Sequence, residues 1–425
     1  MEGLGPMHLW TIATAATVAA TCALVGSFLV VRRMSLLGDA ISHAVLPGIV
    51  LAVLAGGRPG GPAVFAGAVA AALVTAWLTQ FLALHAGLAE DAGTGVAFTT
   101  LFAIGVVLVT ALASRIDLDP GCVLYGILEF VPFDTVPLFG RDVPRALVAA
   151  ATVLGLVLAA TTLFWKELLF AAFDPVAARA AGIPVGALSL GLLTATSLAT
   201  VAGFEAVGAI LVVALLTVPA ATAELLTRRL SRVIPLAMVI GVAASAVGYL
   251  AAWHWGTNAG GMIAVVLGLG YVAAAIAAPG DGIAARAASR LALGWRVARE
   301  DRLAALWRAE EAGVAAPAAR GLVERLAGIG LVAEGLVARE ARRGAGGARL
   351  TAAGRDAARL VVRSHRLWEA WLGRNVAIPL DHLHPPAEWI EHHLGAAVRG
   401  RLAADLGVDD GDPHGRDIPA EEEGG

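Results

Sequence analysis

The sequence predicts an all-α bundle of about eight or nine membrane-spanning helices, followed by a mainly α aqueous domain that carries a β-hairpin. Composition is the first reason. Of 425 residues, 58% are hydrophobic and only 15% are charged, where a soluble chain of this length carries about 25%. The second is asymmetry: charge is sparse in residues 1–280, and most of the Arg, Asp, Glu and His lies in 281–425. The third is length. Apolar runs of about 20 residues, enough to span a bilayer, recur only in the first part. Two domains in different solvents follow. The net charge of −3 averages these unlike parts and is uninformative. Two cysteines, Cys22 and Cys122, give no disulfide framework.

The runs fall near 8–31, 36–56, 62–84, 92–114, 144–165, 187–204, 206–226, 233–252 and 260–278. The first is followed by "RRM" and further apolar runs, not by a small-residue cleavage site, so it reads as a retained helix. Glu205 interrupts 187–226, which fits two spans or a re-entrant hairpin. The loop 115–143 is long and partly apolar, with room for a short interfacial element. Cationic clusters at Arg32–Arg33, at Lys166 and Arg179, and at Arg228, Arg229 and Arg232 mark cytoplasmic ends. Alternation then puts the N-terminus outside and residue 281 onward in the cytoplasm. Glycines within the runs point to closely packed helices.

Polar residues at membrane depth need a reason. They are Asp39 and His43 in "GDAISHAVLPG", then Glu205, His254 and Asn258. His254 stands between Trp253 and Trp255 and reads as part of an interfacial aromatic belt. Asp39 and His43 differ. They are four residues apart, so both side chains share one helix face. A carboxylate and an imidazole so placed are half of a site for a divalent cation such as Zn²⁺ or Mn²⁺.

The segment "RRMSLLGDAISHAVLPGIVLA" resembles the signature of the membrane permease subunits of zinc/manganese/iron ABC importers. The segments "TGVAFTTLFAIGVVL", "DLDPGCVLYGILE", "LLFAAFDPVAARAAGIPV" and "EAVGAILVVALLTVPAATAELLTRRL" are similar to that family in the same order, so the resemblance covers nearly all of residues 8–278. It implies a homodimeric, multi-pass permease in a bacterial cell membrane, with a separate ATPase subunit and an extracytoplasmic solute-binding protein. It also makes Asp39 and His43 intramembrane contacts of the passing cation. "FDPVAARAAG", with Phe173, Asp174, Pro175, Arg179 and Gly182, becomes the coupling element that docks the ATPase. No GxxxxGK[ST] motif occurs in this chain, so a transport subunit is expected and not an enzyme.

Beyond 281 the pattern changes. Residues 279–290 read as an exit into a linker, followed by amphipathic helices at 300–313 and 319–332. "GLVARE" and "ARLTAAG" flank a glycine-rich turn as a hairpin wing. Further helices are expected at 357–374 and 385–407, the latter opened by prolines. His365 and Glu369 are one turn apart, Glu388, Glu391 and His392 share a second helix face, and His384 precedes them. Nitrogen and oxygen donors without cysteine suit Mn²⁺, Fe²⁺ or Zn²⁺.

"LTAAGRDAARLVVRSHRLWEAWL", "HPPAEWIEHHL" and "GDPHGRDIP" resemble the metal-binding and dimerisation domain of diphtheria-toxin-repressor-type regulators. The resemblance implies one metal position from His365, Glu369 and His384, and another from Glu388, Glu391, His392 and Asp301. Glu388 in place of the iron-type cysteine leans towards manganese. Between first helix and wing that family has a full helix-turn-helix, but residues 313–332 hold one helix, with Arg320 and Arg325 set against Glu324. DNA binding is therefore not expected.

The expected organisation is 1–280 membrane permease, 281–298 linker, 299–356 partial winged-helix-like region and 357–425 metal-binding and dimerisation region. The expected function is import of Mn, Zn or Fe under cytoplasmic metal sensing, with a divalent metal bound in the C-terminal domain. The alternatives are a membrane-tethered metal-dependent transcriptional regulator, a permease for export or for chelated metal, and a C-terminal domain that only dimerises.

Overall fold

Pro6 opens the first helix, α1 (Pro6–Val31), after an extended Gly5. The computed structural model describes residues 5–34, 37–56, 61–87, 90–112, 128–138, 140–280, 282–319, 321–340, 347–376, 390–407 and 412–420. The chain forms two compact units, Met1–Ala285 and Arg286–Gly425.

The first unit continues through α2 (Leu37–Ala44), α3 (Leu46–Leu54), α4 (Pro62–His85) and α5 (Glu90–Leu112). A 3-10 turn (Leu128–Phe133) and a hairpin of β1 (Thr135–Leu138) and β2 (Arg141–Pro144) occupy the described part of the long loop. Cys122 lies outside the described residues. Then come α6 (Arg145–Leu163), α7 (Trp165–Phe173), α8 (Pro175–Ala180), α9 (Val185–Val207), α10 (Ala209–Leu226), α11 (Leu230–Trp255) and α12 (Ala259–Ala277). Among the described residues, nine helical stretches are long and apolar enough to cross a membrane, with α2 and α3 together forming one of them.

The run that could pass for a signal peptide, α1, is the most buried of these spans. It packs on α6, α9, α10 and α11. Its hydroxyls need no distant partner. Thr11, Thr14, Thr17, Thr21 and Ser27 each donate to the carbonyl four residues back at 2.7–3.0 Å, which makes them tolerable in an apolar interior. Gly26 sets the closest approach: a Cβ there would stand 1.8 Å from the carbonyl oxygen of Leu216 on α10. Small residues permit such backbone contact between membrane helices.

Residues 185–226 form two helices that meet at Gly208, whose φ of 81° suits glycine. Asn258 is a helix cap: its Oδ1 accepts from the Gly261 amide at 2.8 Å, and Glu129 Oε1 accepts from the Ala259 amide at 3.0 Å. Together they satisfy two orphan donors at the start of α12. His254 lies in ring contact with Trp255, and both flanking tryptophans are exposed. Glu205 is helical, and its side chain lies outside the described residues.

The second unit holds most of α13 (Ile283–Ala312), then α14 (Leu322–Ala333), β3 (Val337–Glu340), β4 (Gly347–Leu350), α15 (Ala352–Asn375), a 3-10 turn (Glu391–His393) and α16 (Ala396–Leu406). β3 and β4 pair antiparallel from Val337↔Leu350 to Glu340↔Gly347, so the hairpin forms where two extended pieces flank a glycine-rich turn. One core joins Leu303, Leu306, Leu331, Val337, Leu350 and Ala358, and another joins Leu367, Ala370, Leu394, Leu402 and Leu406. Thr351 caps α15 by accepting from the Gly354 amide at 3.1 Å.

Two expectations change. The stretch 281–298, expected as a linker, is helical from Ile283 onward. A single helix over 385–407 is not found: Glu391–His393 is a 3-10 turn, and Leu394 and Gly395 are extended before α16 starts. Gly395 favours this break, because glycine is costly inside a helix and acceptable as an N-cap.

Candidate metal sites

In the membrane unit, α2 places Leu37, Ala40, Ile41 and Ala44 in the protein interior. The opposite face presents Asp39 and His43, half-buried, with His43 Nε2 and Asp39 Oδ1 3.5 Å apart. The His43 ring meets Phe102 of α5 edge-on, with centroids 5.5 Å apart, and lies 6.4 Å from Phe98. α2 is a separate short helix because Pro47, in the first turn of α3, has no amide to continue the ladder. It packs against α4, α5, α9 and α10. The pair thus stands at a break in a span, on a polar strip flanked by aromatic rings. Two donors are fewer than a tetrahedral or octahedral cation takes, so the pair is a half-site.

The residues expected to couple transport to ATP hydrolysis form one tight turn. α7 ends at Phe173, and Asp174 caps α8 by accepting from the amides of Val176 at 3.1 Å and Ala177 at 2.9 Å. Pro175 takes the first helical position, Arg179 the last turn, and Gly182 leaves with φ of 81°. Ala178 is buried with Ala171 and Val185, while Phe173 and Val176 project outward. The turn is thus anchored by its cap and its buried alanine, with two apolar side chains exposed.

In the aqueous unit, His365 and Glu369 come together on α15, with Nε2 3.1 Å from Oε1 and both side chains almost fully buried. His392 meets Asp301 of α13, with Nε2 3.1 Å from Oδ1. These pairs follow the two expected groupings. His384 and Glu388 lie outside the described residues, and Glu391 is described by its backbone alone, in the 3-10 turn. Among the described residues, no group of three or more His, Cys, Asp and Glu is set to hold a metal.

Glu300 is a residue that sequence reasoning missed. Its Oε2 lies 2.6 Å from His392 Nδ1, so adjacent carboxylates of α13 bracket one imidazole. The carboxylates face opposite edges of the ring and do not converge on one point, which is why these three form no chelate. Each ring nitrogen of His392 therefore faces one carboxylate, Nδ1 that of Glu300 and Nε2 that of Asp301. The signal available in the sequence was the "ED" doublet at 300–301. An open cavity of about 620 Å³ adjoins His392 and Glu300, and Trp295, Ser364 and Arg399 also line it.

A profile of the ABC 3 transport family matches residues 6–278. The chain belongs to the ABC 3 transport family. A relative within it, the manganese transport system membrane protein MntD of Bacillus subtilis (strain 168), is 43% identical over 64% of this chain and 93% of that protein. The zinc transport system membrane protein TroD of Treponema pallidum (strain Nichols) is 38% identical over 50% of this chain and 58% of its own length. The fold resembles PsaBC from Streptococcus pneumoniae in complex with Fab, with a TM-score of 0.54 and 28% identity over 65% of this chain and 93% of that one. Residues 351–420 of this ABC 3 transport protein also match the metal binding and dimerisation domain of iron dependent repressors.

Proposed function

We propose that this chain is the permease of an importer for divalent cations of the manganese, zinc and iron class, regulated by cytoplasmic metal. The observation that carries the reading is the half-buried Asp39–His43 pair at a helix break within a span. Such a pair replaces part of an ion's water shell at a depth where unpaired charge is costly. A second copy of the chain, related by a two-fold axis, would supply a second pair and complete the donor set. A separate ATPase docks on α7–α8, and an extracytoplasmic binding protein delivers the ion.

The nitrogen and oxygen donors of the aqueous unit fit a resident Mn²⁺, Fe²⁺ or Zn²⁺. His365 and Glu369 would hold one ion, with His384; Asp301 and His392 would hold another, with Glu388 and Glu391. A tethered transcription regulator is disfavoured by α14. Its outer face carries Leu322, Val323, Leu326 and Ile329, all exposed, where a DNA-reading helix needs cations and polar groups.

The test is radiometal uptake in cells that supply the ATPase and the binding protein, with Mn²⁺, Zn²⁺ and Fe²⁺ in competition. Wild-type uptake is expected to fall as cytosolic metal rises, and the Glu391→Ala/His392→Ala variant to keep transporting. A useful brake needs a coupling energy of about 1–3 kcal/mol, a change of roughly 5- to 150-fold. Uptake that tracks wild type at every metal level would reduce the aqueous unit to a dimerisation element.

Coupling is tested separately. Asp174→Ala removes a cap worth about 0.5–2 kcal/mol and loosens α8. The cations moved per ATP are expected to drop while hydrolysis continues. Unchanged stoichiometry in proteoliposomes would move the coupling element elsewhere.

A further inference from the structure

We propose that the start of α13, Arg286–Arg296, lies along the cytoplasmic face of the bilayer and binds anionic lipid. This rests on the permease reading, in which α12 is the last span and the following unit is cytoplasmic. Every residue from Arg286 to Gly294 is exposed, on all sides of the helix; Trp295 and Arg296 already meet the rest of the aqueous unit, at the cavity beside His392 and at the His392 carbonyl, and from Val297 onward α13 enters its core. A helix that merely bridges through water is polar all round, and this one is not. At about 100° per residue, Ala287, Ala288, Leu291 and Ala292 fall on one half of the helix, and Trp295 ends that half against the cavity beside His392. Arg286, Ser289, Arg290 and Arg296 fall on the other, with Leu293 the single exception. Leu291 is 75% exposed and Trp295 37%.

Two further features point to lipid. No Asp or Glu occurs between Gly282 and Arg299, so the segment is purely cationic. Five residues separate Ala277, the end of α12, from Ile283, the start of α13, a reach of about 20 Å at full stretch. An amphipathic helix held that close to the headgroups buries its apolar half at the interface, while its arginines extend to the phosphates. A second copy fits less well. A heptad seam through Ala284, Ala287, Leu291 and Gly294 offers one large side chain, and pairing would bring like-charged arginines together.

The test uses the full chain in nanodiscs, with spin labels introduced one at a time as Ala287→Cys, Ser289→Cys and Leu291→Cys. Collision with oxygen, which concentrates in the bilayer, is compared with collision with a water-soluble nickel chelate. In phosphatidylethanolamine/phosphatidylglycerol discs the oxygen-to-nickel ratio is expected to be severalfold higher at 287 and 291 than at 289. Arg286→Glu/Arg290→Glu should remove that contrast, and phosphatidylcholine discs should weaken it. Equal ratios at all three positions would overturn the proposal, as would dipolar broadening at 291 that reveals a second copy on this face. These readouts need only inserted protein. Absence of the contrast with both arginines in place and normal metal uptake would sink the lipid contact alone, whereas normal uptake in Asp39 and His43 variants would sink the permease reading.

Discussion

Alanine at Asp39 or His43 is expected to abolish metal accumulation while the protein still inserts and assembles. Each substitution removes one of two donors from a face otherwise flanked by Phe98 and Phe102. A contact to a charged species in a dry path is worth up to about 3 kcal/mol, a factor of about 100 in occupancy. Asp39→Asn keeps the shape and removes the charge, so it should behave like the alanine variant. Ser42→Ala is the control. Ser42 sits on the same helix with its hydroxyl bonded to the Gly38 carbonyl at 2.9 Å, away from the polar strip, and should transport within about twofold of wild type. Normal uptake of both zinc and manganese by the Asp39 and His43 variants would remove the pair from the path.

The second large effect concerns stability. Arg366 on α15 is buried at 3% exposure, pairs with Glu311 of α13, lies 3.8 Å from the equally buried Asp412, and donates to the Asp417 carbonyl at 2.6 Å. It ties α13 and the segment 412–420 to one helix. Arg366→Met leaves the Asp412 carboxylate buried without its cation, a loss of about 3–5 kcal/mol. For a unit of this size the unfolding midpoint should fall by about 10 °C or more. Arg355→Met breaks a half-exposed pair with Glu310 and should cost under about 1 kcal/mol. Hydrogen exchange of the aqueous unit in the solubilised full chain separates the two. Equal protection in both variants would show that the buried network contributes nothing beyond a surface pair.

The spans were legible because a bilayer imposes length and apolarity on contiguous residues, and both can be read locally. So was the hairpin at 337–350, marked by a glycine-rich turn between two extended strings. Pairs one helical turn apart, Asp39 with His43 and His365 with Glu369, were legible for the same local reason. What escaped depends on distant partners. Asn258 read as a polar residue at membrane depth, and Glu129, in the long loop, drew no reading at all, yet both serve the first amides of α12. Glu300 acquires its meaning only when His392, far along the chain, is folded against it. The break at Gly395 set capping against helical periodicity, and capping won.

The burial of α1 has a consequence for how the protein is made. α1 is translated well before two of the helices that pack on it, α10 and α11, which begin only at Ala209 and Leu230. Contacts so distant in sequence close late and slowly. Throughout that interval α1 must wait in lipid, and hydroxyls that bond to their own helix make the wait tolerable. A chain cut short before Ala209 would insert its early helices and have nothing to seat against Gly26. Such a product is exposed to aggregation and degradation, so the biogenesis of this transport protein has its commitment point near the end of translation of the bundle, not at the insertion of α1.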